Sequence, residues 1–250
     1  MKRFLILAIA VAAFVGATRA AIGADSFFRQ WRVDTLVGEG IDLYHRGAYA
    51  DSLGKFDAAL QLEPQDIKAR YDRALDLFAM AKYNAAADEL KQCLQTQPDF
   101  VPALFNLGVT DLALNDIAAA QAIFAQILAA HPDSVRAHFD LGLSHFVQGK
   151  PDEAIKDFTV ASLLHPQYTQ AHYNLALAEY QTGNLVAAES ESMAALKLNA
   201  TYAKAYFLRG AISLRQGNEA AARTLFETAE RYTTDPVLKT LCHQIIAQLG

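Results

Sequence analysis

Five side chains in the middle of the chain have the types and spacing for chemistry. Asp111, His145 and Glu179 recur at a regular interval, and His138 and His172 lie two helical turns before His145 and Glu179. Imidazoles and carboxylates on adjacent helices are metal ligands, and imidazole titrates near neutral pH. One reading of His138, His145, His172, Asp111 and Glu179 is therefore metal binding or pH sensing. The other is ordinary hydrogen bonding in crevices between packed helices. The spacing is not the HExxH of a metalloprotease. The sequence holds no Gly-rich phosphate loop, no GxSxG and no cysteine with a credible base partner. His131 and His165 each precede a proline and share the same regular interval, which is a matter of register, not of catalysis. We expect no enzymatic activity, no cofactor and no small-molecule substrate.

The elements that position these residues follow from that interval. Ala69, Ala103, Ala137, Ala171 and Ala205 keep it strictly, as do Pro64, Pro98, Pro132 and Pro166. A fixed period of about 34 residues is the signature of stacked helix pairs. In the stretch 135–166 the first half carries Ala137, Leu141, Gly142 and His145 at helical spacing, with Phe139, Leu143 and Phe146 on a neighbouring stripe. Gly149 suits a helix end and Pro151 the first turn of the next helix. Ala154, Phe158 and Ala161 mark the second helix's buried side. Two ladders admit only small residues: Gly40, Ala74, Gly108, Gly142, Ala176 and Gly210 in first helices, and Ser52, Ala86, Ala120, Ala154, Ala188 and Ala222 in second helices. Close backbone approach is the physical reason, because bulk there would cost packing energy. Phe56, Leu90, Phe124, Phe158 and Phe226 fill the adjacent space, and Ser192 breaks that series.

The segments ALFNLG, AHFDLG and AHYNLA, the linker GKPDEAI and the repeat ends LEP, TQP, AHP and LHP resemble the tetratricopeptide repeat (TPR) family over about four-fifths of the chain. The resemblance implies an all-α, right-handed superhelical solenoid. We expect six helix pairs (33–66, 67–100, 101–134, 135–168, 169–202 and 203–235) after a first-helix extension at 25–32, with a capping helix at 236–250. Departures are local: Arg70, His138 and His172 stand where the family usually has an aromatic residue, and Ala200 replaces a terminal proline. In this family the first helices line a concave face that binds extended or helical peptides. The matching positions here are apolar: Tyr71, Phe105, Phe139, Tyr173 and Phe207 in one row, Leu75, Val109, Leu143 and Leu177 in a second, Phe78, Phe146 and Tyr180 in a third. Together these rows are the expected groove for an apolar peptide or amphipathic helix of a partner protein. Some members hold C-terminal carboxylates with a Lys/Asn/Arg clamp. Tyr71 and Leu75 occupy clamp positions here, so that ligand is disfavoured.

The two ends carry their own signals. Lys2 and Arg3 precede an apolar run over residues 4–15, then small residues with cleavage points after Ala20 or Ala24. This is the layout of a secretory signal peptide, expected to occupy residues 1–24 of an exported, periplasmic protein. Membrane contact is expected only if that segment is retained. Losing residues 1–20 removes Lys2, Arg3 and Arg19 and no acid, taking the formal charge from −5 to −8. Such a balance, without clustered Lys and Arg, argues against nucleic acid as partner. Cys93 and Cys242 sit in distant repeats and are expected as two unpaired thiols. At the C-terminus, Val237, Leu241, Ile245 and Leu249 form an i, i+4 stripe for the capping helix. At the N-terminus, Phe27, Phe28 and Trp31 extend or shield the first helix. They are also the anchors in an alternative reading, in which the apolar strip of one copy takes the N-terminal segment of another and the protein self-assembles.

Overall fold

The computed structural model describes residues 25–249, so the expected leader lies outside the described residues. The fold is all-α, with thirteen helices among those residues, consecutive helices packing as antiparallel pairs in the manner of a TPR solenoid. The chain divides after Leu114 into two compact units. The first holds α1 (25–45), α2 (Tyr49–Leu62), α3 (Ile67–Ala79), α4 (Tyr83–Thr96) and α5 (Val101–Ala113). The second holds α6 (Ile117–Ala130), α7 (Val135–Val147), α8 (Pro151–Leu164), α9 (Thr169–Thr182), α10 (Leu185–Leu198), α11 (Ala203–Arg215), α12 (Glu219–Tyr232) and α13 (Pro236–Gln248).

Each first helix ends at the same phase by the same device. Gly47, Gly149, Gly183 and Gly217 take positive φ, between 75° and 87°. Ala81 (φ 56°) and Asn115 (φ 62°) adopt the left-handed conformation at that phase without glycine's freedom. The helices that follow are capped where the sequence allows it. Asp116, Asn184 and Asn218 each accept a hydrogen bond from the backbone N–H three residues on. Asp66, Ser134 and Asp235 do the same work for α3, α7 and α13.

The small-residue ladder has a measurable cause. A Cβ added at Gly142 would lie 2.8 Å from the Phe158 ring, one at Gly40 2.6 Å from Phe56, and one at Gly210 2.7 Å from Phe226. Where the first-helix position is alanine, the partner is smaller: Ala74 goes with Leu90 in sequence, and Ala176 with Ser192. The break at Ser192 is thus the other half of a size exchange at Ala176. Phe56, Phe158 and Phe226, almost fully buried, anchor their repeats.

Within each unit the two layers of helices differ. The first helices touch each other: α3 meets α5, α7 meets α9 and α9 meets α11. Among the described residues the second helices make no comparable contact. The first-helix layer is therefore continuous from α3 to α5 in the first unit and from α7 to α11 in the second.

The C-terminal end departs from expectation. On α13 the expected stripe is split. Ile245 and Leu249 are half-buried, but Val237 and Leu241 are 74% and 41% exposed, while Cys242 is fully buried. The helix is rotated so that Cys242, not Leu241, meets α12. At the other end, Phe27, Phe28 and Trp31 extend α1 and stand exposed.

Candidate interaction surface

The three expected groove rows have different fates. In the first row the rings serve largely in packing. Tyr71 stacks edge-on against Phe100 at 5.3 Å, Phe139 contacts Phe158 and Tyr168 at 5.7 and 4.9 Å, Tyr173 meets Tyr202 at 5.3 Å, and Phe207 meets Phe226 at 5.2 Å. Phe105 is buried. Burial pushes the Tyr173 hydroxyl up to about 12, with Tyr202 adding to the shift. In three repeats the row thus ties the first helix to the aromatic at its own repeat's end, a contact that the shared repeat phase of Phe100, Tyr168 and Tyr202 carries in the sequence.

The second and third rows remain partly open. Leu75, Val109, Leu143 and Leu177 are half-buried, as are Phe78, Phe146 and Tyr180. Phe78 packs on Tyr83 at 5.2 Å. Tyr180 lies under the Arg215 guanidinium at 4.8 Å, and Arg215 Nη1 donates to the Tyr180 carbonyl at 2.7 Å. Val147, next to Phe146 at the end of α7, is 65% exposed and extends this apolar surface. It lies outside the expected set because its phase holds Ala79, Ala113, Gln181 and Arg215 in other repeats, which is no apolar ladder.

A polar ladder beside the first row also escaped the sequence reading. Asp72, Asn106, Asp140 and Asn174 occupy one phase, with acid and amide alternating. Asn106 Nδ2 donates to Tyr71 Oη at 2.6 Å, and Asn174 Nδ2 to the Gln170 carbonyl at 2.9 Å. The acids are harder to accommodate. Asp140 is buried, with Arg136 Nε 3.5 Å from its Oδ2. Burial pushes its carboxyl up to about 6 against the pull of Arg136. Burial likewise raises Asp72 to about 6 against the pull of Lys68.

The five residues singled out for metal or pH chemistry fall into separate settings. His145 Nδ1 lies 2.9 Å from Asp157 Oδ2, and His138 Nδ1 3.7 Å from Asp157 Oδ1. His172 Nδ1 sits 2.7 Å from Glu191 Oε2. Asp111 is buried on α5, and Glu179 is half-buried on α9. Among the described residues no three His, Cys, Asp or Glu side chains are grouped to hold a metal ion. The histidines instead share a bracing device with Arg70. Each reaches the carbonyl of the proline that ends the preceding repeat: His138 Nε2 to Pro132 at 2.9 Å, His172 Nε2 to Pro166 at 3.1 Å, Arg70 Nη2 to Pro64. Each also faces an acid at one fixed offset on the second helix of its pair: Asp157, Glu191 and Glu89. At His172 both neighbours are acceptors, so the ring serves both only with a hydrogen on each nitrogen. The pairing at i, i+19 is legible in the sequence once the repeat frame is fixed. It explains why the family's usual aromatic residue is absent where it is.

Both cysteines are buried free thiols, and burial raises Cys93 to about 11. Neither is an activated nucleophile.

Residues 110–162 and 145–197 match the profile of the tetratricopeptide repeat family. Among curated protein sequences none matches the chain. Solved structures share the fold at low identity. PilF of Pseudomonas aeruginosa superposes with a TM-score of 0.72 at 16% identity, over 86% of this chain and 98% of that one. A tetratricopeptide repeat protein of Parabacteroides merdae gives 0.68 at 20% identity, over 87% and 84%. YrrB, described as a TPR protein with an unusual peptide-binding site, gives 0.58 at 18% identity, over 76% and 97%. Residues 110–197 thus carry the tetratricopeptide repeat profile, and the solved structures show that the chain shares that fold.

Proposed function

We propose that this protein is a non-enzymatic scaffold that holds an apolar peptide or amphipathic helix of a partner protein on its first-helix face, and that it does so in the periplasm during assembly of an envelope complex. The observation that carries the reading is the half-buried apolar row, packed on the core below and open above, on helices that touch each other. In the second unit, Leu143 and Leu177 are half-buried and Val147 is exposed, on helices already held rigid by the aromatic row beneath. Apolar surface displayed on a fixed helical layer gains by covering a partner's apolar side chains. The peptide-binding site named for YrrB, a protein of like fold, is consistent with it. The envelope assignment rests on the leader-like segment at 2–24 alone.

The test leaves the structural aromatics intact. The triple variant L143Q/V147K/L177Q, with unchanged helical circular dichroism, should lose partner recovery in crosslinked cell envelopes. Recovery equal to wild type would refute the first-helix face as the binding surface.

A further inference from the structure

α1 has two apolar faces. Val33, Leu36 and Val37 are almost wholly buried and fix the helix to its unit. Phe27, Phe28 and Trp31 are 66%, 63% and 57% exposed. At about 100° per residue, these three rings span an arc of roughly 100° centred opposite the buried arc. No slip in register turns them inward without turning the core out. Large aromatics placed so squarely toward solvent mark a contact surface.

Three features identify what covers it. Two phenylalanines and a tryptophan on one outward arc suit the acyl–headgroup boundary of a bilayer, and Arg32, about 90° from the centre of that arc, lies at its edge. Beyond the rings the outward side turns acidic, with Asp34, Glu39 and Asp42, so the apolar surface ends at Trp31 and only the N-terminal end of the helix suits a bilayer. The chain reaches Phe27 shortly after the apolar run at 4–15, which brings this end of the fold close to a membrane while that run is attached.

We propose that the N-terminal end of α1 is a membrane-docking element, seated with Phe27, Phe28 and Trp31 at the acyl–headgroup boundary of a phospholipid bilayer and Arg32 within reach of its phosphates. This contact is separate from the face formed by the later first helices and from any anchoring by the leader itself.

Trp31 is the chain's one tryptophan, so its fluorescence reports on this patch alone. The full chain is mixed with vesicles of phosphatidylglycerol and phosphatidylcholine, with and without lipids brominated near the headgroup end of the acyl chains. Trp31 emission should shift to the blue and be quenched by the brominated lipid. The F27S/F28S variant should need about tenfold more lipid or greater for the same shift, having lost the burial of two rings. Water-like, unquenched emission from wild type on vesicles would overturn the proposal. So would the same shift and quenching in F27S/F28S, which would show tethering by the leader without docking. A blue shift that grows with protein concentration in the absence of vesicles would assign the patch to a second copy of the chain instead.

Discussion

At the scale of single residues, the fold is governed by space and by one backbone conformation. Gly142 is held small by Phe158, whose ring lies where a methyl would go. Repeat two shows the alternative solution, Ala74 with Leu90. G142A should therefore destabilise the protein by about 1–3 kcal/mol, the range for overpacking a tight core. Adding F158L should restore part of that loss although F158L alone is unfavourable, a coupling readable from urea midpoints of the four proteins. Equal losses with and without F158L would mean the ring is not the obstacle. Ala81 supplies the converse case. It holds φ 56° at a phase where four other repeats have glycine, and its side chain is exposed. A81G should raise stability by about 0.5–1 kcal/mol by relieving the left-handed conformation, seen as a higher melting temperature.

At the scale of elements, the alternation of Asp72, Asn106, Asp140 and Asn174 gives a pH dependence of definite sign. Asp140 has a folded value of about 6 against 3.8 when free, because burial opposes its charge more than Arg136 favours it. The folded protein thus binds the extra proton between these values. The cost of Asp140 is absent below about pH 4, develops as pH rises to about 6, and is complete above it. D140N, which puts the amide of the neighbouring repeats in the same place, should stabilise the protein by on the order of 1–3 kcal/mol at pH 7.5 and by little near pH 4. Chemical denaturation at the two pH values decides this, and an equal effect at both would remove the titration of Asp140 as its cause. The helix pairs, their small-residue ladders and the turn at Gly149 were legible in the sequence because each keeps the repeat period. The partners of those ladders were not. A ladder of rings such as Tyr71, Phe139 and Tyr173 looks the same in sequence whether it binds a ligand or stacks on Phe100, Tyr168 and Tyr202. The histidines left two readings open for a similar reason. Their chemistry is general, and only distances show that they brace a proline carbonyl and an acid on the neighbouring helix. On α13 an i, i+4 stripe identified a helix but not its rotation, since Leu241 and Cys242 are adjacent and only one can face α12.

At the scale of the molecule, the two layers of each unit divide the work. Second helices carry the buried phenylalanines and the acids that brace the first helices. First helices touch one another and carry the half-buried apolar rows, with Val147 exposed beside them. A partner peptide should therefore lie across first helices and leave second helices free. Both layers offer exposed apolar positions for comparison: Val147 on α7, and Leu163 and Val186 on α8 and α10 at 73% and 81% exposure. The most direct measurement places a photo-crosslinking amino acid at Val147 or Leu177 in one set of cells and at Leu163 or Val186 in another, and examines the adducts after illumination. Discrete adducts with a partner protein are expected from Val147 and Leu177 and none from Leu163 and Val186. Adducts confined to the second-helix positions, or no adducts from either set, would contradict it.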